Sequence, residues 1–256
     1  MTKHFGTNVL FTVALLCLIF LGFYHPVSVG WYFLLTGLYL FTAAIGSYFI
    51  ELNFFTHSYC RGSSDKAQIA ITFDDGPNSH TERILDSLKA EKAPATFFCI
   101  GINIKCNEAI LSRIDKEGHL IGNHSFEHKT TFPLQSAKRI ATEIRECSSA
   151  IESVIHKRPL LFRAPFGVTD PMIAGGIKLS GVQSVGWSLR SYDTVVSSPD
   201  KLLQKTQKIK NGDIILFHDA GLQTDAVLSQ FIRNARKKGF EIIPLDQLLG
   251  IAAYDK

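Results

Sequence analysis

Charge is missing from a long N-terminal stretch of this 256-residue chain: no Asp, Glu, Lys or Arg occurs between Phe5 and Ile50. Cysteine is sparse, with five residues (Cys17, Cys60, Cys99, Cys106 and Cys147), an odd number, and no Cys-x-x-Cys pair. That excludes a disulfide scaffold and a cysteine-ligated zinc module. No long basic run occurs and the net charge is only +4, which excludes a dedicated nucleic-acid surface and makes nucleic acid an unexpected partner. With 19 Gly and 9 Pro the chain is neither collagen-like nor low in complexity. What is present is apolar: 46% of residues, enough for one large domain.

The uncharged stretch holds two apolar runs, Asn8 to Tyr24 and Trp31 to Ile50, separated by His25-Pro26 and Gly30. At 1.5 Å per residue each reaches, or nearly reaches, the thickness of a hydrocarbon core. Tyr24, Trp31 and Tyr32 fall at one end of the pair and Tyr48, Phe54 and Phe55 near the other, where amphipathic rings prefer to sit. The sequence thus predicts a two-helix transmembrane hairpin in residues 1–55, a linker over 56–66 and a catalytic domain over 67–256. The alternative is a signal peptide followed by a buried core helix. Two crossings return the chain to its starting side, so the larger domain lies on the side of Lys3. Lys3, Arg61 and Lys66 against an uncharged turn favour the inner side, with an outward domain as the competing arrangement.

Beyond residue 66 strand and helix patterns alternate. Seven strand-like runs occur: Ile69 to Phe73, Ala95 to Ile100, Leu120 to Asn123, Leu160 to Arg163, Gln183 to Trp187, Asp213 to His218 and Phe240 to Ile243. Between them, Ile84, Leu85 and Leu88, then Ile110, Leu111 and Ile114, then Ile140, Ile144, Ile151 and Ile155 have helical spacing. Ser79 with Glu82 predicts a capping box, and Asp170-Pro171 and Ser198-Pro199 predict helix starts. Alternating units of this kind imply an α/β fold with parallel strands, as a barrel or an open sheet.

Polar residues collect at the carboxyl ends of these strands, the face on which parallel α/β folds build their sites. Asp74 and Asp75 end the first run, ahead of Gly76-Pro77; a carboxylate pair can divide its work between a metal and a proton, or merely cap the next helix. His124 and His128, four apart, would point at one ion if one helical turn carries them. Glu127 reads as a solvated charge, and Cys99 and Cys106 as core cysteines.

Together these motifs resemble the polysaccharide deacetylase superfamily, the NodB-homology carbohydrate esterases, over about Ile69 to Leu249. Thr72-Phe73-Asp74-Asp75-Gly76-Pro77 resembles the first motif, which makes Asp74 the catalytic base and Asp75 a metal ligand. His124-Ser125-Phe126-Glu127-His128 resembles the second, giving His124 and His128 as metal ligands. Arg163-Ala164-Pro165-Phe166-Gly167 is similar to the third, whose Arg orients the base and whose Pro165 and Phe166 flank the groove. Leu216-Phe217-His218 is similar to the fifth, with Leu216 at the acyl methyl and His218 as general acid. Asp193 matches the fourth, supporting His218, although Thr194 stands where the family often has Trp; Trp187, upstream, is the candidate groove wall.

The resemblance implies a distorted (β/α)7 barrel of NodB-homology type and a divalent metal, zinc first, with cobalt or nickel as other candidates. It implies hydrolysis of an N-acyl group, acetyl foremost, on an amino sugar of a polysaccharide, an oligosaccharide or a lipid-linked glycan. A membrane-bound carbohydrate hydrolase, with the lipid bilayer and an N-acylated carbohydrate as its partners, follows. Two alternatives share the motifs: an amidase acting on a non-sugar amide, and an inactive carbohydrate-binding membrane protein.

Overall fold

The structure is a computed structural model that describes residues 2–196, 198–219 and 222–255. Two 20-residue helices, α1 (Lys3–Gly22) and α2 (Val29–Tyr48), form an antiparallel hairpin outside the core. Ser28 caps α2 through the Gly30 N–H at 3.3 Å. No residue of α1 is buried, and α2 buries only Gly46, so α2 is not the core helix of the alternative reading. Between the helices the Tyr39 hydroxyl donates to Asn8 Oδ1 at 2.9 Å. Phe33 is 75% exposed and Leu10 66%.

The hairpin returns to the body of the protein at its open end. The His4 N–H donates to the Phe54 carbonyl at 3.0 Å, and the His4 ring packs on Phe54 and Phe55. Gly46 leaves room for the Phe54 ring against α2, where a Cβ would clash. Within 56–66, β1 (Ser58–Tyr59) pairs with the sheet, and Arg61 meets the buried Asp213 at 2.7 Å.

The body then follows the βα alternation. In order come β2 (Gln68–Gly76), α3 (Ser79–Glu91), β3 (Thr96–Cys99), α4 (Gly101–Ile104), α5 (Glu108–Lys116), β4 (Leu120–Asn123) and α6 (Ala137–Ile155). They are followed by β5 (Leu161–Phe162), α7 (Pro171–Ser180), β6 (Gln183–Val185), β7 (Leu189–Arg190), α8 (Pro199–Lys205), β8 (Ile214–His218), α9 (Leu222–Lys237), β9 (Glu241–Ile242) and α10 (Leu245–Leu249). All seven expected strand runs are strands. The two missed, β1 and β7, have two residues each; β5 and β9 are as short, but they lie inside the apolar-rich runs Leu160 to Arg163 and Phe240 to Ile243.

The strand order is β1-β6-β5-β4-β3-β2-β8-β7, with β9 on β2, and every pairing is parallel. Because β6 and β7 are successive pieces of one segment, the sheet curls back on itself: β6 continues the β5 side and β7 the β8 side. This is a distorted parallel barrel, as expected. Its main core lies between sheet and helices, where Ile71, Phe73, Phe97, Ile121, Ile215 and Phe217 meet Ile84, Leu88, Leu111, Ile114, Ile151 and Leu228.

Three local expectations are corrected. The helix after β2 is capped one residue earlier than expected: Asn78 accepts from backbone N–H groups of α3 while its own N–H donates to Thr81 Oγ1 at 2.9 Å, in place of Ser79 and Glu82. His124 and His128 do not share a helical turn. They sit in a loop with Ser125 at φ 67° and His128 at φ 52°. Cys106 is exposed rather than in the core, whereas Cys99 is buried. Asp170 does cap α7, accepting from the Ile173 N–H at 2.7 Å, while Ser198 precedes α8 without a side-chain cap.

Candidate active site

The site begins at the end of β2. Asp74 still lies in register, opposite Phe98 on β3 and His218 on β8. The ladder then breaks at Asp75, whose φ is 76°; the following Gly76–Pro77 peptide is cis. Strand alternation alone would send two adjacent side chains to opposite faces; at this break both carboxylates line one cavity.

Asp75 faces the two imidazoles. Its Oδ1 is 3.5 Å from both His124 Nε2 and His128 Nε2, and the three donor atoms lie within 4.8 Å of one another. His124 Nδ1 is 2.8 Å from the Arg163 carbonyl, so that nitrogen carries the proton and Nε2 keeps its lone pair for the Asp75 side. Burial drives the His124 pKa down to about 3, against the pull of Asp75, so the ring is neutral, the form a metal ligand requires. The loop is held from behind. Asn123 Oδ1 accepts from the Ser125 N–H at 2.9 Å and Ser125 Oγ from the His128 N–H at 3.1 Å. Buried Glu143 of α6 accepts from the Phe126 and Glu127 N–H groups at 3.2 and 2.9 Å. Glu127 itself turns outward to Lys129 at 2.8 Å, as expected of a solvated charge.

Asp74 has a different partner. Arg163, fully buried, donates from one guanidinium nitrogen to Asp74 Oδ1 and Thr72 Oγ1, both at 2.8 Å, and from the others to the Val185 and Gly186 carbonyls at 3.3 and 2.8 Å. Burial lowers the Arg163 pKa and Asp74 opposes the change. The second Asp74 oxygen points to the metal-ligand side, 3.8 Å from His124 Nε2.

Across the mouth, His218 closes β8. Its Nδ1 is 2.8 Å from Asp193 Oδ1, and Asp193 Oδ2 accepts from the His218 N–H and from Thr224 Oγ1, each at 2.6 Å. Burial opposes charge on His218, but the Asp193 bond and the fields of Asp74 and Asp75 outweigh it and raise its pKa. Asp193 moves the other way: burial alone would raise its pKa, and its hydrogen bonds from His218 and Thr224 lower it.

A cavity of about 180 Å³ joins these groups, lined by Asp74, Asp75, His124, His128, Phe166, Trp187, Leu216 and His218, together with Gly167, Arg190 and Thr194. Arg163 and Asp193 stand behind it, and Pro165 is buried in its loop rather than at the surface. Gly167, at φ 66°, lets Trp187 lie flush against the loop. Sequence reasoning missed Arg190, at the end of the unread β7, and Asp219, next to His218. Asp219 accepts from Thr81 Oγ1 at 2.6 Å, has no partner for its other oxygen among the described residues, and is pushed up to about 7 by burial, with the nearby Asp75 and Asp74 charges adding to it. An Asp directly after the His that ends a strand was the available signal.

Residues 61–185 match the Polysaccharide deacetylase family. A peptidoglycan-N-acetylglucosamine deacetylase of Bacillus cereus is 35% identical over 188 residues, covering 71% of this chain and 87% of that protein. The peptidoglycan-N-acetylglucosamine deacetylase PgdA of Listeria monocytogenes is 31% identical over 185 residues; the match covers 72% of this chain but 39% of that longer protein. The solved chitin deacetylase of Colletotrichum lindemuthianum superposes with a TM-score of 0.73 at 25% identity, covering 78% of this chain and 95% of that one.

Proposed function

The chain belongs to the polysaccharide deacetylase family, and on that footing we propose that it removes N-acetyl groups from amino sugars of a glycan by metal-assisted hydrolysis. The observation that carries this reading is the convergence, around one small cavity, of three metal-type donors, a carboxylate held by a buried Arg and a His held by a buried Asp. The donor set fits a divalent ion: one carboxylate oxygen and two imidazole Nε2 atoms, with His124 neutral and its other nitrogen engaged. Asp75, His124 and His128 would hold it, zinc best by ligand type, with cobalt and nickel also accepted by imidazole. When bound, such an ion polarises water and the acyl oxygen.

The remaining work falls to protein groups. Asp74, fixed through Oδ1 by Arg163, keeps Oδ2 directed to the ligand side and takes the proton of the attacking water there. His218 supplies a proton to the departing nitrogen, because an amine leaves poorly as an anion; its Nδ1 is bound to Asp193, which leaves Nε2 for the substrate. Leu216 packs the acyl methyl, and Trp187 and Phe166 form the walls against which a sugar ring stacks.

We further propose that residues 1–55 anchor the enzyme in a bilayer and that 67–256 form its catalytic domain, with 56–66 between. Apolar side chains exposed all round two 20-residue helices require a non-aqueous surrounding, and 20 residues span roughly 30 Å. The experiment is acetate release from N-acetylated chitooligosaccharides by the full chain in non-ionic detergent. Release should cease on chelation and return on adding zinc, cobalt or nickel. Release that chelation leaves intact would overturn the metal assignment, and no release with any metal would overturn the activity.

A further inference from the structure

A second cavity adjoins the first, and its chemistry differs. It is a groove of about 790 Å³ that shares Phe166, Trp187 and Arg190 with the catalytic cavity and runs outward from it. At its far end it is lined by Tyr48, Phe49, Ile50 and Glu51, the last residue of α2 and the turn that follows. One side carries Lys201, Lys205 and Lys208 of α8 and the turn after it.

Its charge is one-sided. Arg190, Lys201, Lys205 and Lys208 face one carboxylate, Glu51. Among the described residues none of the four cations has an ion-pair partner. Arg190 and Lys205 instead lie over the Tyr192 ring, 5.3 and 4.4 Å from its centroid, and Arg190 Nε is buried with no acceptor among the described residues. An unsatisfied guanidinium nitrogen and three ammonium groups without an ion pair in one groove are not explained by a neutral N-acetylated sugar. They suit a group carrying two or more oxygens and negative charge, and the mixed Arg and Lys lining is what phosphate takes.

Position narrows the source. The groove ends where α2 leaves the hairpin, which is the bilayer surface if α1 and α2 lie in lipid, and the catalytic cavity is at its other end. A substrate whose sugar is joined to a membrane lipid through a phosphate would place its phosphate between these two points. We propose that this groove is a phosphate subsite and that the enzyme acts on an amino sugar held in the membrane by a phosphate-linked lipid. The proposal rests on the deacetylase and membrane readings above, and its test does not need turnover.

The probes have no acyl group to lose. Farnesyl-phosphoryl glucose, the phosphate-free farnesyl glucoside and chain-free methyl-phosphoryl glucose would be titrated calorimetrically into the full chain in phosphatidylcholine nanodiscs. Farnesyl-phosphoryl glucose should bind at least about tenfold tighter than the farnesyl glucoside, the worth of one charged hydrogen bond. The difference should shrink as salt rises from about 50 to about 300 mM, because the lysines are solvent-facing. Lys201→Glu with Lys208→Glu should abolish it, and the milder Lys201→Ala with Lys208→Ala should reduce it. Equal affinity for the two farnesyl probes, or an unaltered preference in a charge-reversed variant that melts like the parent, would overturn the subsite. Binding of methyl-phosphoryl glucose as tight as that of the farnesyl phosphate would overturn the lipid linkage and assign the groove to soluble sugar phosphates. A phosphate preference that survives alongside a failure to release acetate from any acylated sugar would support the groove and fault the deacetylase reading instead.

Discussion

His218 is pulled in two directions, and the balance sets a pH limit. Burial disfavours its charged form, while the Asp193 bond and the site carboxylates favour it, and the net shift is upward from 6.5. In the proposed general-acid role His218 must be protonated, so these interactions should move the alkaline limb of kcat/KM upward. Asp193→Asn removes the largest favourable partner and leaves burial to dominate. The alkaline limb should move to lower pH and the amide rate fall by about 10²–10⁴-fold, as a pH–rate profile on a chitooligosaccharide would read. Arg163 is a second buried decision. Arg163→Ala leaves Asp74 and Thr72 without their donor, and a broken buried pair costs about 3–5 kcal/mol, visible as a lower melting temperature together with loss of hydrolysis. His119 gives a third test away from the site. Its ring is 6% exposed, its Nδ1 accepts from the Ala95 N–H at 3.2 Å, and burial drives its pKa down to about 4. As pH falls below 6.5 the unfolded chain takes up this proton first, so stability declines until the folded group protonates near 4. From this group alone the protein should lose about 2 kcal/mol between about pH 7.5 and pH 5. His119→Gln should lose correspondingly less across the same interval in thermal unfolding.

Elements matter here chiefly through their ends. β2 serves the site because its ladder breaks at Asp75, and β4 because Asn123, Ser125 and Glu143 hold an irregular loop in place of a helical turn. The turn after α2 has a similar double use. Ile50, Phe54 and Phe55 are buried at 5%, 7% and 7%, and Ile50 sits beside Gly186, whose carbonyl accepts from Arg163. A soluble chain cut at Thr56, the boundary that composition suggests, therefore discards a buried side chain next to the catalytic scaffold. A chain beginning at Phe49 should be more stable than one beginning at Thr56 by about 2 kcal/mol, roughly the burial of one isoleucine. Denaturant melts of the two truncations would compare them directly.

At the scale of the whole molecule, the hairpin brings both its ends to the body: His4 packs on Phe54 and Phe55, and the Thr169 N–H donates to the Ser47 carbonyl at 3.1 Å. The catalytic mouth is thereby set close to the exit of α2. The full chain should sediment with membranes and require detergent for release, whereas a chain lacking α1 and α2 should not. Removing them should also reduce deacetylation of a membrane-held substrate much more than that of a soluble oligosaccharide, since confinement raises the local concentration of only the former. Equal losses on both would indicate that the hairpin supports the fold rather than placing the enzyme. A reporter fused at Lys256 would assign the side of the bilayer on which the domain works.

Seven of the nine strands, the α/β class, the two apolar helices and the carboxylate and imidazole motifs were all determined by the sequence itself. These depend on local periodicity or on residues grouped within a few positions, such as Asp74 with Asp75 or His124 with His128. Tertiary structure decided what depends on distant partners. It paired Arg163 with Asp74 across 89 positions and Thr224 with Asp193 across 31, and it brought the two adjacent aspartates to one cavity at a left-handed residue. It also curled β6 and β7 onto opposite sides of the sheet, which carried Arg190 to the mouth and brought it beside the α8 lysines and the end of α2. Strands of two residues outside any apolar-rich run, as β1 and β7 are, leave no readable pattern, and a groove assembled from four separate segments has no motif, so these features exist only once the chain has folded.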